Sequence, residues 1–306
     1  MGKIEQHISW FMFISIISIT VGLIISCDDS NSPTNPGDTQ ATFFVATTGN
    51  DDNTCTAATT PCKTITRALS RARLRGGDNI IQVAEGIYDV LNGEQFPLNP
   101  PAGTTIIGTT DRVSIEVPPN GGNAVWIGSP RVTLQNLRIS AWNDPILVER
   151  VAADVTITDC RINSDSWNGV NIREGSAIIT NTSIMAYDAG VEVKGITEAE
   201  TNATLTNTTI ISTHDHAVNV GSDCTVAISD SVIVAQPEDP DNSSIAALYL
   251  QNNANTSLTN TRLTRIGTGC ALKCYTTIGS VVTNGGNNVL TPPYNPACKC
   301  EVTPSF

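Results

Sequence analysis

Aromatic residues are scarce in this chain of 306 residues, at 5 %, and charged residues are few, at 15 %. With 40 % hydrophobic residues, that balance excludes a disordered chain, which stays solvated through charge, and a coiled coil, whose outer positions are charged. Basic residues are the scarcer sign: 17 Lys and Arg stand against 29 Asp and Glu, for a net charge of −12. Binding nucleic acid by phosphate neutralisation needs clustered cations, so DNA and RNA are excluded as partners. Thr, Asn, Ile and Val are abundant instead, which suits one long all-β body better than two mixed domains. Nine cysteines are many for a cytosolic protein of this size and point to export.

After Lys3, an apolar run from Trp10 to Ile25 has the length of a signal-peptide core and is short for a spanning helix. It ends in Ile24-Ile25-Ser26-Cys27, which resembles the bacterial lipobox, with Ile24 where Leu is usual. The resemblance implies that residues 1–26 are a lipoprotein signal peptide and that Cys27 carries lipid. The expectation is an exported bacterial lipoprotein held to the membrane of the cell envelope, the outer membrane being the expected one. Asp28 resembles an inner-membrane retention signal of enteric bacteria and leaves the leaflet open. Residues 27–41 hold Asp28-Asp29 and a Ser/Pro/Asn/Gly run without hydrophobic periodicity, so they read as a flexible tether.

From Ala124 the chain repeats two short apolar strands per unit. One series ends in a column of Asn or Asp: Asn136, Asp159, Asn181, Asn207, Asp230, Asn260 and Asn284, spaced by 23, 22, 26, 23, 30 and 24 residues. The spacing of 30 contains Pro237-Glu-Asp-Pro240-Asp, which reads as a surface insertion. Units of this size are too short for two packed helices, and period-two alternation excludes a leucine-rich horseshoe. A parallel β-helix remains, each unit forming one coil about 4.8 Å from the next. The Asn/Asp column fits a turn in which these residues tolerate the left-handed backbone and ladder their side chains.

An open stack of strands needs caps, and a capped solenoid of this kind is expected to be a monomer. Thr60-Pro61 predicts a helix start, with Ile65, Ala68, Leu69 and Ala72 as its apolar face and Lys63, Arg67, Arg71 and Arg73 on the solvated side. Cys55 and Cys62 are placed for a disulfide. At the far end Cys270, Cys274, Cys298 and Cys300 are read as two disulfides rather than a zinc site, because Cys298-Lys-Cys300 is too tight for a zinc pair. Cys160 and Cys224 fall three coils apart, roughly 14 Å, which is too far to pair, and are expected to be buried thiols.

Five ordered motifs run from Phe44 to Gly108: Val45-Ala-Thr-Thr-Gly49-Asn-Asp-Asp-Asn, Pro61-Cys-Lys-Thr64-Ile65-Thr-Arg-Ala68-Leu69, Gly77-Asp78-Asn-Ile80-Ile-Gln-Val83-Ala-Glu-Gly86-Ile-Tyr88, Gly93-Glu94-Gln-Phe96-Pro97-Leu98 and Thr105-Ile-Ile-Gly108. This stretch resembles domain-of-unknown-function family 1565, the leading part of right-handed β-helices of the pectate-lyase type. The resemblance implies an all-β, single-stranded right-handed parallel β-helix with an N-terminal capping helix, export, and a connection to polysaccharide. It implies no activity. Residues 42–108 are then the cap and first coils, and 109–306 the coils with a Cys-rich C-terminal cap.

Asp188-Ala-Gly190-Val-Glu-Val-Lys194-Gly195 and Asp215-His216-Ala-Val-Asn-Val-Gly221-Ser222 resemble in part the strings of polygalacturonases. Ala189 stands where those enzymes have a second Asp, and no Arg-Ile-Lys follows. Ahead of the first strand, four consecutive coils present Trp142-Asn143-Asp144, Trp167-Asn168, Tyr187-Asp188 and His214-Asp215-His216. Stacked coils predict a column of rings beside amides and carboxylates, the pairing of apolar platform and polar groups that a glycan site needs. The same aromatics also suit a structural stack. No cofactor is expected, although these carboxylates with His214 and His216 could hold Ca²⁺. The expected role is contact with polysaccharide or a surface glycan as a binding or structural protein. The alternatives are a polysaccharide lyase or glycoside hydrolase using Asp165, Asp188, Asp215 and His216, and an adhesin that binds protein through a broad apolar lateral face.

Overall fold

The central coils carry three short strands each, one more than the repeat pattern predicts. The computed structural model describes residues 40–149, 152–196, 201–276, 279–293 and 298–303. The expected signal peptide, Cys27 and nearly all of the expected tether lie outside the described residues. No described helix is long and apolar enough to cross a membrane. A representative coil holds the strands Val125–Ile127, Thr133–Gln135 and Arg138–Ala141. The third strand escapes the sequence reading because the chain turns into it within two residues, Asn136 with φ of 54° and Leu137, and no Gly/Pro cluster marks the corner.

The strands pair in parallel into a first sheet of 11, a second of 9 and a third of 7, wound as a right-handed β-helix of about 8 turns. Thr133–Gln135, Arg138–Ala141 and Val125–Ile127 belong to the first, second and third sheets respectively. Alternation places aliphatic columns inside each sheet. On the second sheet, Ile115, Ile139, Ile162, Ile184, Ile210, Ile233 and Leu263 are in register and buried. Each such side chain contributes roughly 1.5–3 kcal/mol by leaving water.

The Asn/Asp column holds the corner between the first and second sheets, as predicted, for six of its seven members. Asn136, Asp159, Asn181, Asn207, Asp230 and Asn260 all have φ between 48° and 56°. Asn207 Nδ2 donates to Asn181 Oδ1 at 2.8 Å, Asn181 Nδ2 to Asp159 Oδ1 at 3.2 Å, and Asn260 Nδ2 to Asp230 Oδ1 at 2.7 Å. Each run starts at an Asp, because an ionised carboxylate only accepts and cannot bond back to the rung before it. Asn284 departs from the column. Leu258 pairs with Asn284 rather than with Val282, so the last coil is shifted by two residues and its turn falls at Gly286 and Asn287.

Both expected thiols are free and buried, and burial pushes the Cys160 thiol up to about 12. Cys160 follows Asp159 where the next coils place Thr182, Thr208, Ser231 and Thr261, and like the hydroxyls of Thr182, Ser231 and Thr261 its Sγ donates to a carbonyl two residues back, that of Thr158, at 3.2 Å. The insertion after Pro237 is pinned by a residue the sequence reading missed. Arg265, 2 % exposed, donates to the carbonyls of Ile245, Asn242 and Pro240 at 3.0, 2.8 and 3.2 Å.

The capping helix α1 spans Ile65–Arg75 and starts four residues later than Thr60-Pro61 predicts. Cys62 is drawn into a parallel bridge with Val45 and a disulfide to Cys55, which keeps Pro61–Lys63 extended, and Thr64 becomes the N-cap. Gly49 lies so close to this segment that a Cβ would run into the Cys62 carbonyl. The predicted apolar face, Ile65, Ala68, Leu69 and Ala72, is buried. The arginines of the predicted solvated side keep partial or full exposure and are braced as well: Arg67 donates to the Asp51 carbonyl, Arg71 to that of Asn53 and Arg73 to that of Asn99. At the other end Cys270 pairs with Cys298 and Cys274 with Cys300, which leaves no thiolates there for zinc.

Candidate functional site

The third sheet presents its outer face between two sets of turns. Its strands are three residues long, so the outer two face the core and the middle one faces out. The middle residues form one registered row: Trp126, Leu147, Asn171, Glu192, Asn219, Tyr249 and Lys273. None of these seven belongs to the sequence-predicted site. For Asn171, Glu192 and Tyr249 the signal is a single polar or aromatic residue between two aliphatics, as in Val191-Glu192-Val193, repeated coil after coil.

The turns entering this sheet carry the predicted residues, and the structure sorts them by burial. Trp167 is 53 % exposed and His214 is exposed, whereas Trp142, Asn143, Tyr187, Asp188 and Asp215 are half-buried. Asp144, Asn168 and His216 are buried. The predicted column of four rings is not continuous. Tyr187 stacks on His214 at 4.6 Å and 10°, and His216 stacks on Tyr249 at 4.1 Å and 6°, while Trp142 and Trp167 make no ring contact among the described residues. A column of alternating coils can only stack rings that share one register position. His216 lies two residues beyond His214 and finds a partner on the sheet row instead.

A buried amide and carboxylate network joins the coils beneath these rings. Asp144 Oδ1 accepts from the Asn168 backbone N–H and from Asn168 Nδ2, both at 3.2 Å, and Asp144 Oδ2 accepts from Asn171 Nδ2 at 2.9 Å. Asn168 Nδ2 also reaches Glu192 Oε2 at 3.2 Å, and Asn168 Oδ1 accepts from the Ala189 N–H. The next residue, Gly190, is packed so that a Cβ would meet the Ala217 carbonyl at 2.7 Å, which fixes how tightly this turn closes. Two acceptors in the row, Asn171 Oδ1 and Asn219 Oδ1, are buried without a partner. Beyond the row, Arg173 pairs with Glu149 at 2.9 Å, and Trp126 Nε1 donates to the same carboxylate at 3.1 Å.

Burial is the first cause that raises the carboxyls of Asp144, Asp188 and Glu192 above their ordinary values. Mutual repulsion adds to it: the charge of Asp215 raises Asp188 further, and that of Asp144 raises both Asp188 and Glu192. His214 offsets part of this at Asp188, and Lys194 and Arg173 do so at Glu192. His216 is held neutral by burial despite Asp215 at 3.5 Å, and its Nδ1 accepts from the Ala246 N–H at 3.0 Å. Asp165 stands apart, exposed and bonded to Asn163 Nδ2. Among the described residues no group of three or more His, Cys, Asp or Glu side chains is placed to hold a metal ion.

The fold is shared with solved structures of low identity. Pectate lyase Pel9A is 11 % identical with a TM-score of 0.56, the match covering 88 % of this chain and 78 % of that one. Pectin methylesterase PemA from Erwinia chrysanthemi is 12 % identical with a TM-score of 0.56, over 87 % and 94 % of the two chains. No curated protein matches by sequence. The profile of the family described as "Protein of unknown function (DUF1565)" matches residues 47–291, well beyond the leader in which its motifs are concentrated. The chain belongs to the DUF1565 family.

Proposed function

We propose that this protein is a cell-envelope lipoprotein, tethered through Cys27, that contacts polysaccharide through the outer face of its third sheet. One observation carries the reading: exposed Trp167 and the stacked Tyr187–His214 pair border a registered polar row in which Glu192, Asn219 and Tyr249 are partly accessible. Flat rings pack against sugar C–H faces while amides and carboxylates take the hydroxyls. The fold neighbours are by their names a pectate lyase and a pectin methylesterase, which agrees with a carbohydrate partner but assigns no activity, since fold does not imply function.

A second reading, cleavage of the polysaccharide, is favoured by the raised carboxyls of Asp188 in one turn and Glu192 in the strand that follows it, because a raised carboxyl is better suited to act as a general acid. The adhesin reading has less to stand on. The outward apolar residues in register on the second sheet form the short stretch Met185, Ile211 and Val234, with exposed Val232 beside it. The test is to incubate the full chain with a panel of acidic and neutral polysaccharides, scoring retention and new chain ends. Retention without cleavage is expected, and cleavage abolished by Asp188→Asn would replace the binding role with catalysis. For the tether, Cys27→Ser is expected to release the protein from the membrane fraction of the producing bacterium, and undiminished membrane association sinks that part of the proposal.

A further inference from the structure

The second sheet carries a groove that the third-sheet face does not use. It encloses about 270 Å³ and is lined by Ser114, Arg138, Ser140, Arg161, Asn163 and Met185 among others. Arg138 and Arg161 are directly opposite one another on adjacent parallel strands, which places their Cα atoms about 4.8 Å apart. Like charges so placed destabilise a sheet unless an anion lies between them. The counter-charge in the structure is incomplete. Arg138 meets Asp111 through one contact of 3.5 Å between largely exposed groups, and its Nε is shut away from solvent with no acceptor. The exposed guanidinium of Arg161 engages no acceptor among the described residues.

The nearby carboxylates are occupied by neutral donors rather than by the arginines. Glu116 accepts from Ser114 Oγ at 2.7 Å, and Asp165 accepts from Asn163 Nδ2 at 2.8 Å. Ser140 and Ser183 add hydroxyls to the groove, and Met185, 49 % exposed, supplies an apolar surface at its side. Guanidinium forks match the two oxygens of an oxyanion, and a pair of them in register is a clamp for one. On a chain of net charge −12, a pair of adjacent arginines is set against the overall field.

We propose that Arg138 and Arg161 form an oxyanion site for the carboxylate or sulfate groups of an acidic polysaccharide. The choice of a polysaccharide as carrier rests on the function proposed above, whereas the oxyanion chemistry rests on the arginine pair itself. The test measures binding of the full chain to polygalacturonate, dextran sulfate and neutral dextran at one fixed salt concentration. Wild type is expected to hold a charged polymer above dextran, and the tighter of the two tells carboxylate from sulfate. Arg161→Gln is expected to weaken that binding about tenfold, the scale of a lost charged hydrogen bond, with unchanged far-ultraviolet circular dichroism. Arg161→Lys, which keeps the charge and loses the fork, falls between. Trp167→Ala lowers retention without removing the preference for charge. The site is overturned if Arg161→Gln binds charged polymers like wild type, or if wild type holds none above dextran. Weakening by Arg161→Gln with no effect of Trp167→Ala overturns the third-sheet reading and leaves this site standing.

Discussion

The N-terminal cap and the turns of the third sheet both bury carboxyls, yet they treat them in opposite ways. In the cap Glu94, 4 % exposed, accepts from the Ile65 and Thr66 N–H groups at 2.5 and 2.9 Å and from Thr66 Oγ1 at 2.7 Å. Asp51 likewise takes the Lys63 and Thr64 N–H groups and the Thr64 hydroxyl. Together they close the start of α1, whose first turn has no acidic residue of its own. On the third sheet Asp144 has three donors, Glu192 has one, and the Asp188 carboxylate has none among the described residues. Burial raises all four carboxyls, so the raised value alone does not separate structure from function. The number of donors does: a carboxylate whose lone pairs are filled is holding the fold, and one left crowded by other carboxylates is available to a ligand.

That contrast breaks first at Glu94. Glu94→Ala strands the two N–H groups in a buried helix start and is expected to cost on the order of 3 kcal/mol in chemical denaturation, a value under 1 kcal/mol contradicting the structural role. Asp144→Ala leaves the Asn168 and Asn171 amides short of an acceptor and is expected to cost about 2 kcal/mol by the same measurement.

The pH dependence sharpens the comparison. A carboxyl raised in the folded state keeps its proton over a window in which the unfolded chain has lost it. Stability is therefore fully present below the ordinary carboxylate value and falls as pH rises toward the folded values of Glu94, Asp144 and Glu192. His216 works the other way: its folded value is depressed, so its contribution is present above the ordinary 6.5 and lost as pH falls through the folded value. Glu94→Gln is expected to flatten the carboxylate limb in melting experiments, and a profile identical to wild type counts against the assignment. Smallest of all is Asp188→Asn, which removes a charge that its neighbours repel and is expected to shift stability by less than about 0.5 kcal/mol while changing glycan retention.

The β-helix was legible because its signal is periodic. Inward Ile, Leu and Val recur every coil, and the Asn/Asp column marks a backbone conformation that few residues adopt. The third strand was hidden because its corner is only two residues long and holds no Gly/Pro cluster, and Asn284 was misplaced because a sequence match at one position outweighed a two-residue shift in pairing. Of the site, the turn residues showed themselves through rare aromatics. The row through Asn171, Glu192 and Tyr249 did not, because in sequence each is one polar or ring residue inside a strand and becomes a surface only when coils stack in register. Glu94 shows the same limit: it closes a helix that begins 29 residues earlier, a pairing that spacing does not announce.

The central claim is that the third-sheet face holds polysaccharide, and the most direct measurement is retention of the full chain on immobilised polysaccharides with Trp167→Ala, Tyr187→Ala and the double variant beside wild type. The account predicts retention of the wild type on at least one glycan, a loss with each substitution and the largest loss in the double variant, with melting temperatures unchanged. Retention that is equal in all four proteins, or absent from every glycan in the wild type, contradicts it.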